Sequence, residues 1–268
     1  MSDEQILGGG LANLGQVVRR GDTVERPAPP HAAALHTYLC ALRDAGFDGV
    51  PEPLELSGER EVLSFVRGDV AIPPYPSWSR EEDVLASVGR LLRRMHDASA
   101  AIPLPDASWP TEFADPDAAS APNLVLCHND ACLENVVFRD GEAVALIDFD
   151  FAAPGRPLWD LAMSAWYWVP MVPQTIAAVE GFDGMDSPAR LRIMVDAYGL
   201  DAADRRRLLG LFPSLVDTMQ AFMKGRVAAG DPVFTEVNRK RDPQRYAKIL
   251  AWLDERHEEF AAALGTAS

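Results

Sequence analysis

The segment His128-Asn129-Asp130-Ala131-Cys132-Leu133-Glu134-Asn135, followed by Ile147-Asp148-Phe149-Asp150, is the densest gathering of polar side chains in an otherwise apolar stretch. Carboxylates and amides near a core are costly unless they are paired or ligate a cation. Their oxygen donors suit a hard ion such as magnesium. Apolar runs 136–138 and 143–147 flank the turn residues Arg139-Asp140-Gly141 and predict a β-hairpin. Such a hairpin brings Asn135 and Asp148 to the same end, where they can share one ion. Asp130 then lies close enough to address whatever that ion holds. One carboxylate beside a metal-bound polyphosphate can orient and deprotonate a hydroxyl nucleophile, which is the chemistry of phosphoryl transfer.

The elements around this cluster follow from local pattern. Gln16 to Arg20 and Asp22 to Arg26 are β-prone runs on either side of Gly21-Asp22, a hairpin turn signal. After three prolines, Leu35, Leu39 and Leu42 recur at helical spacing up to Gly46, which sits where a helix cap is expected. Val50 to Leu56 and Glu61 to Val66 read as two further strands. The proline-rich IPPYPSW at 72–78 reads as a linker. A helix from Ser79 to about Ala98 carries Val84, Val88, Leu91, Leu92 and Met95 on one face. Residues 99–123 have loop composition, and from Pro157 onward the pattern is helical. Two lobes are predicted: a β-rich unit over 1–68 and a mostly helical unit over 69–268 carrying the polar cluster.

Composition narrows the partners. The 268 residues carry 25 Lys and Arg against 40 Asp and Glu, a net charge of -15. Nucleic acid and anionic membrane surfaces are poor partners for such a chain, and a cationic ligand is better received. No apolar run is long enough to span a bilayer. The three cysteines, Cys40, Cys127 and Cys132, show no CxxC spacing, and the N-terminus lacks a secretory pattern. The expectation is a reduced, cytoplasmic protein.

The pattern H-x-D-x-x-x-x-N, followed after a hairpin by I-D-F-D, resembles the aminoglycoside phosphotransferase-like branch of the protein-kinase-like fold. GRLLRRMH ending at His96, PGRPLWDLA with Asp160, and FVRG at 65–68 extend the resemblance over most of residues 1 to 170. It implies an α+β, two-lobe fold with a small antiparallel sheet, and a phosphotransferase moving the γ-phosphate of ATP or GTP to a small-molecule hydroxyl. In that frame Asp130 is the catalytic base, and Asn135, Asp148 and Asp150 are magnesium ligands. His128 and Asp160 support the loop. Gly8, Gly9 and Gly10 cover the phosphates through backbone N–H groups, and Phe65 and Val66 offer main-chain groups to the purine.

One departure stands out. The family presents a small-lobe lysine to the nucleotide phosphates, usually paired with a helix glutamate, yet no lysine precedes Lys224. Arg26 is the nearest substitute, and the helix that follows it, His31 to Arg43, has no acid to pair with it. Arginine holds phosphate bidentately but is not a conservative replacement. The missing lysine keeps open a second reading, a ligand-binding pseudoenzyme of the same fold.

Overall fold

The computed structural model describes residues 4–8 and 15–266. Five strands form one antiparallel sheet: β1 (Glu4–Ile6), β2 (Val18–Arg20), β3 (Thr23–Pro27), β4 (Pro53–Ser57) and β5 (Arg60–Ser64), in the order β1-β2-β3-β5-β4. Helix α1 (Ala32–Asp44) crosses between β3 and β4, burying Leu35, Tyr38, Leu39 and Leu42. This is the small, β-rich lobe that the sequence predicts.

Within the sheet, β5 alternates, with Glu61 and Leu63 buried and the residues between them part-exposed. An acid on the inward face of such a strand requires a partner. Register supplies it, because Glu61 lies directly opposite Arg26 on β3, the geometry in which cross-strand side chains meet.

The chain leaves the sheet through Phe65 to Gly68 and is pinned at once to the larger lobe. Asp69 and Phe138 exchange backbone hydrogen bonds of 2.9 and 2.8 Å. Gly68 makes that approach possible: at φ 148° its backbone suits glycine, and a Cβ there would lie 2.4 Å from the Phe138 carbonyl oxygen. The proline-rich stretch then leads through a short 3₁₀ turn, Ser77–Arg80, into α2 (Glu82–Ser99). Its apolar stripe Val84, Val88, Leu91, Leu92 and Met95 is fully enclosed, as its helical spacing predicts.

Two short antiparallel pairs follow, β6 (Val125–Cys127) with β9 (Ala153–Gly155) and, nested between them, the hairpin β7 (Val136–Arg139) with β8 (Glu142–Leu146). The loop before β6 is anchored by Asp115, whose two carboxylate oxygens each accept a 2.6 Å hydrogen bond from the Arg156 guanidinium. The rest is helical: α3 (Pro157–Trp168), α4 (Gln174–Ala177), α5 (Ser187–Tyr198), α6 (Ala202–Ala228), α7 (Pro232–Lys240), α8 (Arg245–Glu255) and α9 (His257–Ala263). Among the described residues no helix is long and apolar enough to cross a membrane.

Candidate active site

The loop between β6 and β7 is held by one buried carboxylate. Asp160, in the first turn of α3, accepts the backbone N–H groups of His128 at 2.8 Å and Asn129 at 2.7 Å, and the His96 ring at 3.0 Å. Burial works against its charge, but the His96 hydrogen bond, the neighbouring histidines and the backbone donors outweigh that and hold its carboxyl below the usual range. His96, which helical position alone suggests is a packing or dipole partner, orients this acid and is itself bonded to the Tyr198 hydroxyl at 2.7 Å.

His128 is a brace, not a reactant. Burial pushes its pKa down, and the neutral ring fits its partners: Nε2–H donates to the Ile147 carbonyl at 3.0 Å while Nδ1 accepts from the Asp130 N–H at 3.2 Å. The ring therefore ties the loop to the end of β8. A 2.9 Å backbone bond from Ile147 N–H to the Asn135 carbonyl closes the same end of the hairpin. The Asn135 amide donates to both the backbone and side-chain oxygens of Asp130, at 2.9 and 3.0 Å. Its carbonyl oxygen is left to ligate a cation or accept a hydrogen bond.

Asp148 has φ 63°, a left-handed conformation that costs a non-glycine residue about 1–2 kcal/mol. It is held there by the small lobe. The Arg26 guanidinium, 6% exposed, donates to Glu61 at 2.6 Å and Asp148 at 2.7 Å and pairs with Asp150 at 2.8 Å. Burial opposes its charge, but the surrounding carboxylates more than compensate and raise its pKa. Glu61 is backed in turn by His36 Nε2 at 2.6 Å. The acid that sequence reasoning sought on the helix after β3 therefore comes from β5, and Arg26 bridges the lobes.

Other expected nucleotide contacts are less available. The Phe65 N–H is bonded to the Asp22 carbonyl at 2.8 Å, and the Arg19 guanidinium stacks 3.7 Å above its ring. Gly8 is exposed at the end of β1; Gly9 and Gly10 lie outside the described residues.

The sequence pattern of the Phosphotransferase enzyme family matches residues 104–209, the span that holds Asp130, Asn135, Asp148 and Asp160. A trifolitoxin immunity protein from Rhizobium leguminosarum bv. trifolii is 32% identical over 209 residues, covering 76% of this chain and 77% of that protein. The chain belongs to the phosphotransferase enzyme family. Its fold is similar to that of a choline/ethanolamine kinase family protein from Mesorhizobium loti, at 21% identity and TM-score 0.60 over 98% of this chain and 91% of that one. It is also similar to a macrolide 2'-phosphotransferase from Brachybacterium faecium, at 15% identity and TM-score 0.53 over 87% and 90% of the two chains.

In this phosphotransferase-family chain Asp130 faces a cavity of about 700 Å³ that also reaches Asn135, Asp148 and Asp150. The Tyr167 hydroxyl donates to the Asp130 carboxylate, yet burial dominates and pushes its pKa up to about 8. Beyond it the cavity is walled by Phe151, Trp166, Met219, Phe222 and Phe234. The aromatic run after α3 begins is therefore divided: Trp166 and Tyr167 face the cavity, whereas Trp159 and Trp168 are core residues whose indoles donate to the Phe113 and Ala131 carbonyls. The acidic stretch at 255–260 contributes nothing to this wall.

Among the described residues no three His, Cys, Asp or Glu side chains form a ready-made metal cage. The donor set here is two carboxylates and an amide, all oxygen, and fits magnesium, which takes few protein ligands and completes its shell with phosphate and water. Asn135, Asp148 and Asp150 are the residues that would hold it.

The raised Asp130 has a consequence for the metal-free protein. Below about pH 4 a carboxyl is protonated in both folded and unfolded chains. Between there and about 8 the unfolded chain releases a proton that the folded one keeps, so stability falls as pH rises through this window. Thermal melting with a chelator, from about pH 5 to about 8, is expected to show a steeper loss in the native protein than in Asp130→Asn. Identical slopes would count against the buried acid.

Proposed function

We propose that the protein is a magnesium-dependent phosphotransferase that moves the γ-phosphate of ATP or GTP to a hydroxyl of a small molecule. The observation that carries this reading is the convergence of Asp130, Asn135 and Asp148 on one end of the β7/β8 hairpin, open to a cavity large enough for a substrate. Asp130, in the ionised form that a bound cation beside it would favour, accepts the hydroxyl proton at its carboxylate and orients the oxygen for in-line attack. Tyr167 and Asn135 fix that carboxylate, and Asp160 and His128 fix the loop beneath it. Magnesium, when bound, neutralises charge developing on the phosphates. Arg26 offers a guanidinium to those phosphates while Glu61 retains it in the lobe interface. The immunity protein among the relatives supports a toxin or antibiotic as the hydroxyl compound, with a metabolite as the other choice.

A second reading, a binding module without turnover, has one observation in its favour: Arg26 already neutralises Asp148 and Asp150. The two readings separate by nucleoside diphosphate release with ATP or GTP and magnesium, in the presence of a panel of hydroxyl compounds. Release above the Asp130→Asn background, with one phosphoryl group appearing on a panel member, supports transfer. Release no greater than that background supports the binding module.

A further inference from the structure

We infer that the substrate pocket is built for an anionic, aromatic or branched apolar hydroxyl compound, and not for a polycation. The inference rests on the phosphotransferase reading of Asp130 and concerns the other side chains that line the same cavity. Although the chain carries a net charge of -15, the acids lining the cavity all have partners within the protein. Asp148 and Asp150 are held by Arg26, and Glu180 by Arg245 at 2.7 Å. Glu134 accepts from the Tyr75 hydroxyl, and Asp130 from Tyr167 and Asn135.

Two of the four arginines in the wall differ. Arg226 and Arg241 both line the cavity, and neither has a carboxylate partner among the described residues. Arg226 instead lies over the Phe222 and Phe234 rings, at 5.1 and 5.6 Å from their centroids. Such stacking leaves the guanidinium N–H edge available. Arg241 sits at the junction of α7 and α8, half-buried. Phe151, Trp166, Met219, Phe222 and Met223 make much of the remaining wall aromatic and methionine-rich. The lining offers a carboxylate to a hydroxyl, aromatic and methionine side chains to an apolar body, and two guanidiniums to a carboxylate. A polycation would meet unpaired positive charge in place of free acid, which electrostatic selection disfavours.

The test uses three probes sharing one body: a hydroxynaphthoate, the matching hydroxynaphthamide and the matching aminomethyl naphthol. Each is titrated by calorimetry into the full chain without nucleotide. The carboxylate is expected to bind on the order of tenfold tighter than the ammonium, the effect of a charge-assisted hydrogen bond. Arg241→Gln and Arg226→Gln, each checked for an unchanged melting curve, are expected to reduce that preference to about twofold or less. Two variants are used so that one poorly folded protein does not remove the comparison. Equal or tighter binding of the ammonium, binding of none of the three, or a preference that survives both substitutions would overturn the inference. Because no nucleotide is present, these outcomes are distinct from a failure of magnesium-nucleotide binding, which is measured separately on the native protein.

Discussion

Replacing Asp130 with asparagine is expected to lower turnover by about 10²- to 10⁴-fold, the range of a lost general base, with magnesium-nucleotide affinity changed by no more than about twofold. The substitution is nearly isosteric. Its carbonyl oxygen can still accept from the Asn135 amide and the Tyr167 hydroxyl, so the loop held by Asp160 and His128 has no reason to move. What is lost is the ability to take a proton. Diphosphate release and nucleotide calorimetry on the same preparation check both halves. Native turnover in the variant would remove Asp130 from the chemistry, and lost nucleotide binding would make it a structural residue.

Arg26→Ala carries the largest expected effect on stability. Its guanidinium is the shared partner of Glu61, which is fully buried, and of Asp148 and Asp150 at 30% and 22% side-chain exposure. Removing one member of a buried ion pair typically costs about 3–5 kcal/mol, because the remaining charge is stranded. In a chain of this length that is a melting shift on the order of 10 °C. Adding Glu61→Gln should recover part of the loss, since it neutralises the most deeply buried of the stranded acids. Arg26→Lys should cost less than alanine but not be neutral, because an ammonium cannot reproduce a planar fork gripping three carboxylates. Thermal melting of the four proteins checks the order. If alanine melts with the native protein, the cluster is not what joins the lobes here.

Much of the site is legible in the sequence because it is local. The hairpin is written in two apolar runs and a turn, and Asn135 and Asp148 fall at its ends whatever the rest of the chain does. The left-handed backbone of Asp148 is not local: it depends on the ion pair that the small lobe presents. The partner of Arg26 was sought one helix downstream, where it is absent, because its position is set by strand register across 35 residues. A signal did exist, since Glu61 occupies an inward position of an alternating strand, and an acid there implies a buried cation. The short strands β6 and β9 are not legible, because each has only three residues, is fully or largely buried and pairs across more than twenty residues with the β7/β8 hairpin intervening. The pocket arginines were illegible for a related reason: Arg226 and Arg241 belong to helices whose faces are chosen by packing and by no local motif.

The nucleotide site proposed for this chain has Arg26 where the family usually has a lysine. It is tested most directly by calorimetric titration of ATP and GTP, with and without magnesium, into the native protein and Asp148→Asn. Magnesium-dependent binding of at least one nucleotide is expected for the native protein, and its loss in the variant. No binding under any condition, or binding equally strong without magnesium and in Asp148→Asn, would contradict it.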